Sequence, residues 1–137
     1  MTVKDHGSLR ILLFVHGLIT AAAGSVLVAA PGLIPGAIGI HLDAGADVVA
    51  YLLAGAEFGF AVLSFGGSRL TDARGLRLVA WSCIAFHGIS GVLEIYAYVQ
   101  GAAPIILANV VARVGVVALF FALSRRLESE GERQSAH

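Results

Sequence analysis

Side chains that exchange protons or hold charge recur inside the long apolar runs of this 137-residue chain: Glu57, His87, Glu94 and Arg113. Tyr98 lies on the stripe of His87 and Glu94, Asn109 on that of Arg113, and His16 and Thr20 share a stripe on the first run. A glutamate and a histidine in dry surroundings form an acid–base couple able to pass a proton near neutral pH, which gives Glu57 and His87 a catalytic role. Glu94 supplies a second carboxyl group for the same chemistry. Arg113 and Asn109 can hold or polarise an oxygen on a bound molecule. His16, Thr20 and Tyr98 complete the expected substrate-binding set. An ionised group at the centre of a membrane helix costs at least about 2.5–3.5 kcal/mol, so these residues need a reason to be there.

Spacing decides which way they face. Cys83, His87, Ser90, Gly91, Glu94 and Tyr98 recur at three- and four-residue steps and form one polar stripe. Asn109 and Arg113 are four apart, as are His16 and Thr20, so each pair shares a helix face. Glu57 shares its face with Ala50, Leu53, Ala54, Ala61 and Ser64, mostly small residues that leave room beside it. Turning every stripe inward hides the ionisable groups from lipid. Arg113 stays charged and therefore needs a carboxylate. Depth along the spans makes Glu57 its first candidate and Glu94, roughly 10 Å nearer the outer face, its second. Depth also pairs Glu57 with His87. One arginine–carboxylate pair alone would read as glue between helices; the larger set points to a polar cavity that does chemistry.

The elements that must carry these stripes are four apolar stretches, residues 9–30, 47–67, 76–98 and 103–124, each long enough to cross a bilayer as a helix. With 58% hydrophobic and 13% charged residues and a mean hydropathy of +0.86, the chain fits an integral membrane protein. The fold class is all-α, a four-helix up-and-down membrane bundle in one domain, residues 1–137. The first stretch is expected to be a retained span, since it is too long for a cleaved leader and Pro31 follows Ala29–Ala30. Lys4 and Arg10 precede the first span, Arg69, Arg74 and Arg77 lie around the second connection, and Arg125, Arg126 and Arg133 follow the fourth span. The other two connections, 31–46 and 100–102, contain no Lys or Arg. The positive-inside rule then places both termini in the cytoplasm of a multi-pass inner-membrane protein, with 125–137 a solvated tail. The Pro31–Gly36 opening of the first connection predicts an interfacial or re-entrant turn, and Asp47 reads as the N-cap of the second span.

Composition also excludes. Zero formal net charge with no basic patch argues against nucleic acid as a partner. The single cysteine, Cys83, rules out an internal disulfide. P-loop, GxSxG and HExxH motifs are absent, and Lys4 is the only lysine, so no span offers a Schiff base. His41, Asp43 and Asp47 are too loosely spaced to predict a metal, and none is expected. No cofactor is expected either; haem between His16 and His87 is the minor alternative, set back by a depth difference of about 5 Å from helix rise. Gly55 and Gly59 form a GxxxG seam on the face opposite Glu57, suited to a homo-oligomer.

With Pro31-Gly32 after the first span and Phe86–His87 in the third, the chain resembles the small DoxX-like bacterial four-span proteins. The resemblance covers the whole bundle and implies that architecture, but no activity and no site residue. The expected function is a small membrane-embedded enzyme of isomerase, cyclase or hydrolase type. It would act on a lipophilic small molecule drawn from the lipid bilayer. The alternatives are a proton-coupled oligomeric transporter or channel, and an accessory subunit of a membrane complex.

Overall fold

The computed structural model describes residues 7–43 and 45–135, the side chains of 126–135 aside. Lys4, Arg126, Arg133 and the end of the tail, expected above as orientation signals, therefore lie outside the described side chains. The described residues form five helices: α1 (Gly7–Ala29), α2 (Leu33–Ala37), α3 (Asp47–Gly67), α4 (Ala73–Val99) and α5 (Ile106–Ser135). All but α2 are long and apolar enough to cross a membrane, with α5 contributing Ile106–Arg125. The chain is a multi-pass membrane protein.

Local chemistry explains the boundaries. Pro31 stops α1, because the residue before a proline is pushed out of the helical region. The Asp72 carboxylate accepts from the backbone N–H groups of Arg74 and Gly75, so α4 starts three residues before the expected 76. Asp47 is not the N-cap of α3. That place falls to Ala46, and Asp43 accepts from the N–H groups of Gly45 and Ala46. Gly101, with φ at 102°, takes a turn open to glycine between α4 and α5. The expected solvated tail continues α5 as helix to Ser135.

Two antiparallel pairs make up the bundle. α1 lies along α3 and α4 along α5, while the pairs touch each other more sparsely. Glycines bring α1 close to α3: a Cβ on Gly17 or Gly24 would meet the rings of Phe65 and Phe58. At the end of α3, a Cβ on Gly67 would come within 2.8 Å of Val79 Cγ1 and 3.2 Å of Leu13. Val79 has little rotamer freedom to retreat. Gly67→Ala should therefore cost about 1–3 kcal/mol of overpacking, read as a lower thermal midpoint in detergent. Gly55 on the exposed side of α3 meets nothing within the chain, so Gly55→Ala should leave packing inside the bundle unchanged.

Burial is inverted relative to a water-soluble bundle. Leu52, Val62 and Val111 are each more than 70% exposed, while His16, Thr20, Ser64 and His87 are buried. Two apolar clusters bracket those polar residues. Leu9, Leu13, Leu76, Val79, Ala80, Cys83 and Phe120 fill one end. Leu27, Ala50 and Ala54 fill the α1–α3 pair at the other end, where Ile34 and Leu42 of the first connection pack over them.

Candidate functional site

Between the clusters runs a line of hydrogen bonds from α3 to α5. Ser64 Oγ lies 2.8 Å from His16 Nδ1, and His16 Nε2 lies 2.8 Å from His87 Nε2. Arg113 Nη1 reaches His87 Nδ1 at 3.2 Å, and Arg113 Nε donates to Glu94 Oε1 at 2.9 Å. Asn109 Nδ2 donates to the same Glu94 oxygen at 2.7 Å. The His16 ring also packs edge-on against Phe120, with centroids 5.4 Å apart.

A guanidinium can only donate, and that fixes the polarity of the whole line. His87 Nδ1 must accept from Arg113, so its single ring proton sits on Nε2. That proton is donated to His16 Nε2, which leaves the His16 proton on Nδ1, donated to Ser64 Oγ. The Ser64 hydroxyl hydrogen remains for the Cys83 sulfur at 4.0 Å. Both imidazoles are thereby neutral. His16 turns its N–H and not its lone pair towards Ser64, so it does not act as a base on that hydroxyl. A Ser–His nucleophile of the hydrolase kind is not assembled here.

His87, expected as a proton mover, has both ring nitrogens engaged. The chemistry that remains unspent is on the carboxylates. Glu94 Oε2 is buried and has no hydrogen-bond partner among the described residues, whereas Oε1 is held twice. Glu57 is half-buried on α3, without a hydrogen bond among the described residues but within electrostatic reach of Arg113. One helical turn from Glu57, Phe60 stacks on Phe86 at 4.2 Å, and the Arg113 guanidinium lies 5.8 Å from the Phe86 ring centre. Glu57 and Arg113 thus stand beside one aromatic stack.

Several expectations change. Arg113 pairs with Glu94 and not with its first candidate, Glu57. Glu57 does not pair with His87, whose partners are His16 and Arg113. The 5 Å depth offset between His16 and His87 vanishes, since their nitrogens meet directly. Thr20 stays outside the line, because its hydroxyl bonds back to the His16 and Gly17 carbonyls of its own helix. Tyr98 is exposed at the end of α4. Ser64 was not singled out: a serine among alanines signals packing, and only the position of His16 reveals it as the end of the line. Among the described residues, no three His, Cys, Asp or Glu side chains gather as a metal would need. Comparison with known proteins finds no matching family model, curated protein or solved structure.

Proposed function

We propose that this chain is a membrane-embedded enzyme that carries out acid–base chemistry on a lipophilic small molecule, with Glu57 and Glu94 as its acid–base pair. The observation that carries this is Glu94 Oε2, buried and unpaired while Oε1 is clamped by Arg113 and Asn109. A carboxylate fixed through one oxygen presents the other in a set direction, the preorganisation that proton transfer needs. Glu57, one helical turn from Phe60 on α3 and within electrostatic reach of Arg113, can take the complementary step. Arg113, Asn109, His87, His16 and Ser64 are positioning residues. This chemistry suits isomerisation, cyclisation or hydrolytic ring opening.

Sidedness supports an enzyme over a channel. Arg10 donates to the Ser68 carbonyl, and Arg125 lies over Phe121, which packs on Trp81. The start of α1, the end of α3, the start of α4 and the end of α5 therefore share one end, rich in arginine. By the positive-inside rule that end faces the cytoplasm, in the inner membrane. Beyond Ser64 it is closed by Leu9, Leu13, Leu76, Val79 and Phe120. A site closed at that end, with only sparse contact between the helix pairs beside it, matches a substrate that arrives through lipid.

The test uses proteoliposomes incubated with the lipophilic extract of the source cells, with products followed by mass spectrometry. Glu57→Gln should slow conversion about 10²–10⁴-fold, the usual contribution of a general acid or base. Its thermal midpoint should stay near wild type, because Glu57 holds no hydrogen bond among the described residues. Full turnover in Glu57→Gln and Glu94→Gln alike would refute the assignment.

A further inference from the structure

The charges around the site do not balance. Among the described residues, the ionisable groups at or around it are His16 from α1, Cys83, His87 and Glu94 from α4, Arg113 from α5, and Glu57 from α3, which lies within electrostatic reach of Arg113. The hydrogen-bond polarity set by Arg113 makes both histidines neutral. Cys83 sits in the apolar end cluster behind Ser64. That leaves one guanidinium against two carboxylates. The guanidinium already engages Glu94 Oε1 through Nε and His87 through Nη1. Among the described residues, the two acceptors left open are the buried Glu94 Oε2 and the side chain of Glu57. With both carboxylates ionised the site holds one unmatched negative charge in apolar surroundings, a state that membrane interiors strongly disfavour. Neutrality is reached by one bound proton or by one bound cation.

We infer that the substrate class of this site is a lipophilic monocation, whose positive charge replaces a proton between Glu57 and Glu94. The inference rests on the two-carboxylate reading above. Two further features fit such a ligand. The stacked rings of Phe60 and Phe86 lie one helical turn from Glu57 and offer an apolar, cation-tolerant surface; Arg113, which holds Glu94, already lies over one of them. The sparse contact between the α1–α3 and α4–α5 pairs gives a lipid-soluble body a lateral way in. Binding needs no covalent step: the cation enters and one carboxyl proton leaves to the buffer.

Tetraphenylphosphonium tests this, with tetraphenylborate as a control of the same shape and opposite charge. Both are titrated calorimetrically into the full chain in a neutral detergent, with Glu57→Gln in the same micelles as the reference for partitioning. The cation should bind with release of about one proton, so its apparent affinity falls about tenfold per pH unit on the acid side of the carboxyl's titration. The borate should not bind. Glu57→Gln should lower affinity for the cation at least about tenfold and abolish proton release, while Glu57→Asp, which keeps the charge, retains both. Absence of specific phosphonium binding, binding without proton release, or equal binding of the two ions would overturn the inference. A parallel infrared titration between about pH 4 and 9 follows carboxyl protonation at Glu57 and Glu94 directly. Exchange there without phosphonium binding removes the cation class and leaves the acid–base reading standing. No exchange at either residue removes that reading itself.

Discussion

Replacing Arg113 by leucine should lower stability in detergent by about 3–5 kcal/mol, the usual cost of stripping one partner from a buried ion pair. Leucine itself suits the membrane, so the loss comes from what is left behind: Glu94 keeps only Asn109, and His87 Nδ1 loses its donor. Removing the stranded charge as well, in Arg113→Leu with Glu94→Gln, should recover most of the loss. The same substitution with Glu57→Gln should recover far less, because Glu57 holds no bond to the guanidinium among the described residues. Nitrogen NMR supplies a readout that packing alone would not move. Wild-type His87 should carry its proton on Nε2, and Arg113→Leu should let the Nδ1–H form appear, whereas Arg113→Lys, still a donor, should hold the Nε2–H form. A double variant with Glu94→Gln no more stable than Arg113→Leu would show that this pair is not what Arg113 supports.

The change of partner from Glu57 to Glu94 has a physical origin that depth counting misses. Measured along the helix axes, Glu94 stands roughly 10 Å from mid-span and Arg113 at it. In a helix, however, side chains lean towards the N-terminus. On antiparallel α4 and α5 the two lean towards each other, and the long arginine stem covers the rest. Hydropathy made the four long helices legible, and three- and four-residue spacing put His87, Glu94, Asn109 and Arg113 on inward stripes. The His16–His87 contact was not legible, because matching span midpoints ignores how far one helix slides along another. Here the slide is set by close helix contacts outside the polar line itself: Val79 and Leu13 close around Gly67, and Phe65 and Phe58 seat against Gly17 and Gly24. The polar line is placed by glycines that carry no chemistry, which is why residue type alone could not find it.

His16 separates positioning from packing most sharply. His16→Ala removes a ring that packs on Phe120, strips the His87 N–H of its acceptor and leaves Ser64 only the Cys83 sulfur at 4.0 Å. A cavity and the two lost hydrogen bonds together should cost about 3–5 kcal/mol. His16→Phe refills the volume and keeps the contact with Phe120, so its loss should shrink to about 1–3 kcal/mol, the cost of the lost hydrogen bonds. Turnover should follow the hydrogen bonds and not the volume. Without His16 the ring of His87 is free to rotate, Arg113 loses a fixed anchor, and Glu94 Oε2 drifts from its set direction. A misplacement of about 1 Å at a reacting group costs about 10²-fold in rate, so kcat should fall by that order in both variants while KM changes little. His16→Gln, which can still accept from His87 and donate to Ser64, should restore part of kcat. A phenylalanine variant that turns over at the wild-type rate would reduce the Ser64–His16–His87 line to structural glue and leave Glu94 positioned by Arg113 and Asn109 alone.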